Sequence, residues 1–423
     1  MKLLKALFDD RIRAFNKIWY IAGILVILFI SSYIAWGNLE FWHEKDKFIL
    51  SLLVTICYII SIQLFYKLII FPKPYYFGTI FMVVTFLYLF LILVIAIGRL
   101  YYSRFFLISS YLFNILWIYL GYILKRKRKL KFILLSSSSY NETLSGLLLT
   151  DNIEWIKAKN LLDNDNLHID GIVIHSLEDL NQEQSQYVIK QTLKGIPVYH
   201  VSDIYEIFHG KLPIKYFYEE FLGSSYRSPY IMFLKRLFDL TLSFVLLPFV
   251  ALLSIVISII IKIDSKGPIF FKQDRVGQGG RIFKLIKFRT MYIDAESNGP
   301  QFAVKNDPRI TRVGRILRKL HLDELPQIWN IIKGEMSFVG PRPEQAKFVE
   351  EFEKKIPFYN LRHLVKPGIT GWAQIHQGYA AGLEETIEKL EYDLYYIKNM
   401  SIWLDLIIIL KTISIILTRR GAR

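Results

Sequence analysis

Four apolar stretches fill the first part of the chain, at Ile18–Trp36, Phe48–Phe71, Tyr76–Leu100 and Phe105–Leu124. Each approaches or exceeds the ~20 residues that an α-helix needs to cross the hydrocarbon of a bilayer. No other open-chain structure satisfies its backbone there, so the stretches are read as four transmembrane helices. The first is not read as a cleaved signal peptide, because its run is too long and no small-residue cleavage site follows it. Lys2, Lys5, Arg11, Arg13 and Lys17 precede the first stretch, and Lys125-Arg126-Lys127-Arg128-Lys129 follow the last. Basic residues stay on the cytoplasmic side, so both ends of this part are expected there, with Arg99 and Arg104 a weaker opposing signal. No carboxylate pair or ladder of charges interrupts the spans, as a pump or voltage sensor would require. Anchorage or a homodimer contact is the expectation.

Charge divides the rest. Residues 1–131 carry 17 Lys/Arg against 5 Asp/Glu, residues 132–230 carry 7 against 13, and residues 231–423 carry 29 against 19. The basic run beside the last span is expected to meet anionic lipid headgroups and no nucleic acid. A single cysteine, Cys57, rules out an intrachain disulfide framework, and 53% hydrophobic residues rule out disorder.

From Lys131 the pattern changes to short β-branched runs alternating with polar helical ones. Phe132–Leu135, Ile172–Ile174 and Ile196–Tyr199 read as buried strands, and Gln182–Leu193 and Asp203–His209 as helices. Such alternation argues a small parallel α/β sheet, Rossmann-like in outline. The turn after the first strand is Ser136-Ser137-Ser138-Ser139, followed by Tyr140-Asn141-Glu142, and lacks the glycines that bring a backbone against a pyrophosphate. A structural or regulatory role is expected for this domain.

Leu237–Ile261 is a further apolar stretch with basic flanks and Pro248 near its middle. Proline kinks or breaks a helix interior, yet it is tolerated in spanning helices. On these residues alone, a fifth span and a helix that enters one leaflet, bends and leaves on the same side are both open.

The chemistry-bearing residues follow. Gly267–Gln273 reads as a turn feeding a strand, Gly279-Gly280-Arg281 as a hairpin turn, and Ile282–Met291 as the return strand. Alternation puts Lys287 and Arg289 on one face, Ile286 and Phe288 on the other. Asp307–Lys319 brings Arg315, Arg318 and Lys319 together at helical spacing. His321–Asn330 reads as a helix that starts near Asp323, holds Pro326 in its first turn and stops at Gly334. Asp323 can be an N-cap, with Glu324 suiting the helix dipole. The alternative is chemical: adjacent carboxylates approached by Lys287, Arg289, Arg318 and Arg342 suit phosphoryl transfer, one attacking phosphorus, one holding Mg²⁺, the cations neutralising phosphate oxygens. Pro341 and Pro343 fix Arg342 between them, so its fork loses little entropy on gripping a phosphate.

The strings Lys235-Arg236-Leu237-Phe238-Asp239, Lys287-Phe288-Arg289-Thr290-Met291, Asp307–Thr311, Leu322-Asp323-Glu324-Leu325-Pro326-Gln327, Val339–Pro343 and Lys366–Gly371, with the kinked apolar run, resemble the bacterial sugar transferase family, the monotopic phosphoglycosyl transferases. The resemblance covers about 231–423, and the whole resembles the large members that begin exopolysaccharide or O-antigen synthesis. It implies that Asp323 attacks the β-phosphate of a UDP-sugar and expels UMP, and that polyprenyl (undecaprenyl) phosphate then takes the phospho-sugar. It implies Mg²⁺ on Glu324, a phosphate site of Lys287, Arg289, Arg318 and Arg342, support from Asp393 and Asp405, and a cytoplasmic catalytic domain on the inner membrane. UDP-sugars are cytoplasmic, which favours the re-entrant reading with its bend at Pro248. Ile402–Leu417 reads as an interfacial helix. In the loop after Gly371, Trp372 is open between sugar selection and interfacial anchoring, and His376 is expected exposed.

The fold expected is a multi-domain membrane protein: a four-helix transmembrane bundle (1–130), a degenerate Rossmann-like α/β domain (131–230), and a monotopic α/β phosphoglycosyl transferase domain (231–423) with a re-entrant helix at about 234–263. Two rivals are weighed. A transporter of lipid-linked sugar predicts polar residues and symmetric repeats within the spans, and neither is read. A membrane-anchored sensor predicts a recognisable ligand loop in the middle domain.

Overall fold

The computed structural model describes residues 12–68, 76–125, 130–135, 153–157, 169–175, 178, 180–214, 229–293, 307–377 and 382–418. The serine-rich turn at 136–142 and the basic residues 126–129 lie outside them. The chain divides into two compact units, Met1–Gly210 and Lys211–Arg423.

The first unit opens with the helices Ile12–Trp36, Lys45–Leu68, Tyr76–Gly98 and Arg104–Lys125. With the later helix Pro229–Asp264, five described helices are long and apolar enough to cross a membrane. Val54, Tyr58, Ile62, Phe65, Val84, Phe106 and Ile118 form a common core, while Phe86, Leu89, Ile97 and Phe105 face outward. Outward apolar side chains are what lipid solvates without cost. The interior differs from the expectation in one respect: Ser31, Ser32, Ser61, Ser110 and Asn114 are buried among the helices. Ser61 donates to the Cys57 carbonyl at 2.6 Å, and Asn114 donates to Ser61 Oγ at 3.4 Å. Ser61 and Ser110 satisfy their hydroxyls on their own helices, and small side chains at such positions let backbones approach.

The α/β part of the first unit has four strands, Leu130–Leu135, Ile153–Lys157, Gly171–Ile174 and Val198–His200. All pairs are parallel, with Ile153–Lys157 and Gly171–Ile174 flanking the first strand and Val198–His200 outermost. The strand at Ile153–Lys157 is absent from the sequence reading, because its Glu154 and Lys157 mask the apolar run. The helix Gln182–Leu193 matches expectation and is capped by Asn181. The next, Val201–His209, starts two residues early because His200 caps it through Nδ1.

The second unit begins at Lys211, which pairs with Glu388, and the Leu212 amide donates to the Glu391 carbonyl. Its first long element is the continuous 36-residue helix Pro229–Asp264, with Pro248 inside. Phe244, Val245, Phe249, Leu252 and Ile255 near its middle are exposed, whereas Lys235, Asp239, Ile257 and Ile261 toward its ends are buried. Both ends grip the same globular body. Arg236 donates to the carbonyls of Ile331 and Ile332, ending the helix Ile328–Lys333. Asp264 accepts from the Val313 amide, at the start of the helix Arg312–Lys319. Those two helices flank the Leu322–Gln327 turn.

The antiparallel hairpin Phe270–Val276/Ile282–Phe288 forms as expected, with Phe271 opposite Lys287. A second pairing joins Ser337–Val339 to Gly368–Thr370 in parallel. Its tightness explains two glycine motifs together: a Cβ on Gly340 would stand 2.3 Å from the Lys366 carbonyl oxygen. The helix Ile402–Thr418 buries Leu404, Asp405, Ile407 and Ile408 within this unit.

Candidate active site

Three segments bring the candidate residues together. On the return strand, Phe283, Leu285 and Lys287 share the face that packs toward the helix Ile328–Lys333, so Lys287 points inward with 19% of its side chain exposed. Asn330, fully buried, fixes that packing by donating to the Lys284 carbonyl and accepting from the Ile286 amide. The second segment is the dyad. Leu322–Gln327 is a 3₁₀ turn running into the helix Ile328–Lys333, and the residue ahead of it is His321 in a left-handed conformation, φ 54°. Asp323 is therefore not an N-cap. The tighter turn holds Pro326 and buries both carboxylates, Asp323 at 8% and Glu324 at 7% exposure. The third segment is Pro341-Arg342-Pro343.

Lys287 Nζ lies 3.0 Å and Arg342 Nη2 2.7 Å from the same oxygen, Glu324 Oε1. Burial alone would raise the Glu324 pKa, but Arg342 and Lys287 more than reverse it and hold the group well below the usual carboxylate range. Asp323 moves the other way. Burial raises it, Lys287 opposes, the charge of Glu324 adds to the rise, and Arg318 and Arg342 oppose more weakly. Lys287 itself is lowered by burial, against the pull of Glu324. Two adjacent carboxyls are thus differentiated: Glu324 is fixed by ion pairs, whereas the Asp323 carboxylate makes no hydrogen bond among the described residues. An ionised, unencumbered carboxylate beside cations is a nucleophile that needs no base.

Arg318 reaches the dyad from the helix Arg312–Lys319, whose start is capped by Thr311 Oγ1, accepting from Gly314 at 2.9 Å. Its Nε donates to Thr290 Oγ1 at 2.8 Å. Arg289 is not brought to the dyad. The strand ends at Phe288, and the Arg289 guanidinium turns to the carbonyls of Lys266 and Ser265 and to Ser265 Oγ, at 2.6 to 2.8 Å. Gly267, at φ 122°, makes room: a Cβ there would lie 2.0 Å from Arg289 Nη1. Face alternation alone had grouped Arg289 with Lys287; the strand's termination separates them.

Asp393 and Asp405 stand behind the site. Asp393 accepts from Arg362 at 2.8 Å, and the same Arg362 nitrogen donates to the Arg342 carbonyl at 3.0 Å. Asp405 pairs with Lys235 at 2.5 Å and accepts from Tyr396. Burial raises both carboxyls, and Arg362 and Lys235 oppose it. Sequence reasoning missed Arg362 and Asn330, which no motif marked. It quoted Lys235 and Asp239 without a role; Asp239 accepts from Ser337 Oγ and the Phe338 amide. Trp372 is fully buried and stacked on Tyr395, so it is no interfacial anchor. His376 is half-buried, its ring stacked on Tyr392, rather than exposed.

Magnesium takes hard oxygens and keeps several places for water and substrate. Glu324 Oε2 and the Asp323 carboxylate accept no hydrogen bond among the described residues, so the donor set suits Mg²⁺ if phosphate oxygens complete its shell. Among the described residues no cluster of three or more His, Cys, Asp or Glu could hold a metal alone.

Residues 230–419 match the family model described as bacterial sugar transferase. The chain is 43% identical over 330 residues to the UDP-N-acetylgalactosamine-undecaprenyl-phosphate N-acetylgalactosaminephosphotransferase of Aeromonas hydrophila, covering 77% of this chain and 76% of that one. It is 44% identical over 203 residues to the UDP-glucose:undecaprenyl-phosphate glucose-1-phosphate transferase of Xanthomonas campestris pv. campestris, covering 47% of this chain and 42% of the relative. With the enzyme of that name from Escherichia coli (strain K12) the identity is 42% over 182 residues, 43% of this chain and 39% of the other. The chain thus spans about two fifths of the length of these two relatives.

Proposed function

The chain belongs to the bacterial sugar transferase family, and we propose that it carries a sugar-1-phosphate from a UDP-sugar to undecaprenyl phosphate, releasing UMP, through a covalent intermediate on Asp323. An Asp323 oxygen forms a bond to the phosphorus that bears the sugar, while the anhydride oxygen leaves with UMP. An oxygen of polyprenyl phosphate then attacks that phosphorus and displaces the Asp323 carboxylate, giving polyprenyl-diphospho-sugar. One anhydride replaces another, and no net proton change is demanded of the protein.

The observation that carries this reading is the division of labour in the dyad: Glu324 is held by Lys287 and Arg342, and the Asp323 carboxylate accepts no hydrogen bond among the described residues. Bound phosphate oxygens would draw Lys287 and Arg342 from Glu324, and Arg318 would face the charge that grows on the leaving phosphate. Mg²⁺, held by Glu324 and substrate oxygens, would supply further neutralisation of the diphosphate.

The helix Pro229–Asp264 supports a place at the inner leaflet of the cytoplasmic membrane. Both its ends are fastened to one globular unit while its middle is exposed and apolar. A straight span would put its ends on opposite sides of the bilayer, so a bend at Pro248 that returns the chain to the cytoplasmic side reconciles these contacts. The catalytic domain then lies where UDP-sugar and the lipid phosphate headgroup meet, and the reaction is the first membrane step of exopolysaccharide, O-antigen or capsule synthesis.

The test uses the full chain in purified membranes with undecaprenyl phosphate and a panel of UDP-sugars. UMP release that requires the lipid phosphate is expected, and UDP release would point to direct glycosyl transfer instead. Asp323→Asn should abolish turnover with its melting temperature unchanged, and donor labelled in the sugar should leave an adduct on the wild type alone. Turnover by the Asn variant would remove the nucleophile.

A further inference from the structure

A small pocket opens among Arg275, Leu285, Lys287, Gln327, Arg342, Pro343 and Gly368. Most of its polar groups are committed. Lys287 and Arg342 hold Glu324, and Arg275 donates to Gln273 and to the Pro343 carbonyl. Gln327 is the exception. It is 3% exposed, yet its amide makes no hydrogen bond among the described residues. A 3₁₀ turn has three residues per turn, so side chains at i and i+3 eclipse, and Gln327 stands directly over Glu324.

The Gln327 amide lines the pocket, so its donor and acceptor are offered to whatever fills that space. The chemistry of the amide selects the ligand. Phosphate oxygens only accept, and would leave the amide oxygen unsatisfied. A hydroxyl both donates and accepts, as the amide does. The walls agree, since Leu285 and Pro343 are apolar and suit a neutral group flanking the phosphates rather than a second anion.

We propose that Gln327 binds a hydroxyl of the sugar-nucleotide donor, next to the diphosphate site formed by Lys287 and Arg342. The proposal rests on the donor being a UDP-sugar. Two parts of that molecule carry hydroxyls, the ribose and the transferred sugar, and product inhibition separates them. Gln327→Met keeps length and volume and removes both hydrogen-bonding atoms. The measurements are KM for the UDP-sugar that the wild type turns over best, the inhibition constant of UMP, and the melting temperature of the full chain.

The expected result is a KM raised about tenfold, the worth of one hydrogen bond to a neutral group. The melting temperature should hold, since the substitution keeps length and volume and the amide makes no hydrogen bond among the described residues. A parallel weakening of UMP identifies the ribose hydroxyls, and unchanged UMP binding identifies the sugar. An unchanged KM would overturn the proposal, as would a drop in melting temperature with kcat and KM falling together, which marks a packing role. Gln327→Asn, which keeps the amide on a shorter stem, should recover part of the lost affinity, and no recovery beyond the Met variant would also count against it. UMP release by the wild type is read separately, so failure of this assignment leaves the overall reaction standing.

Discussion

Burial and charge act on the two carboxyls of the dyad in opposite senses, and each sense has a consequence for the pH at which the enzyme works. In the reaction proposed above Asp323 must be ionised to attack, and burial raises its pKa from the usual aspartate value while Lys287 and Arg318 pull it back. A raised acid loses its charge at a higher pH than an ordinary aspartate, so the acid limb of kcat/KM should lie above the usual carboxylate range. Arg318→Met removes one of the opposing cations and should move that limb to still higher pH; a pH–rate profile in which the limb stays put would show that Arg318 does not sense Asp323. Glu324, held low by Arg342 and Lys287, stays ionised across the same range and contributes no limb. Much of this cluster was legible beforehand. Lys287, Arg342 and the two carboxyls stand in the strings that carry the family resemblance, and Arg318 lies in the basic helical run just ahead of one of them. Arg289 was misleading for a physical reason: its partners are the carbonyls of Ser265 and Lys266, and backbone acceptors carry no sequence signature.

Elements are placed by side chains that cap or neutralise their neighbours. The pair Lys235–Asp405 ties the start of the helix Pro229–Asp264 to the helix Ile402–Thr418, with 9% and 1% of the side chains exposed. Removing one partner from a buried pair strands the other. Lys235→Met should therefore cost about 3 kcal/mol in chemical denaturation of the detergent-solubilised chain. The double variant Lys235→Met/Asp405→Leu should recover most of that loss, because Tyr396 retains the Val339 carbonyl as a partner. Equal losses in single and double variants would mean that the pair does not act as a unit. The same reasoning separates what periodicity discloses from what it conceals. The hairpin was visible because glycines punctuate alternating strands, and Gln182–Leu193 because its polar face repeats at helical spacing. The strand Ile153–Lys157 was hidden by its charges, and the parallel pairing of Ser337–Val339 with Gly368–Thr370 joins segments too short to show a period.

At the scale of the whole chain, the membrane helix decides the topology. Tyr230 and Ile263, near its two ends, are 68% and 80% exposed. In a chain whose Cys57 is replaced by alanine, Tyr230→Cys and Ile263→Cys should both react with a membrane-impermeant maleimide in inverted vesicles, and neither in intact cells. Labelling of the two from opposite sides would establish a span in place of a hairpin. The four amino-terminal helices announced themselves by length and hydropathy alone, whereas the boundary at Lys211 lies at the pairing of Lys211 with Glu388, two residues distant in sequence that no local pattern connects. The way the membrane helix is fastened also bears on how this enzyme can be engineered. Arg236 closes one of the helices flanking the Leu322–Gln327 turn and Asp264 opens the other. Excising the helix Pro229–Asp264 to obtain a water-soluble catalyst would thus unfasten both sides of the Leu322–Gln327 turn together, and a screen of such truncations should yield inactive protein wherever the cut removes either anchor.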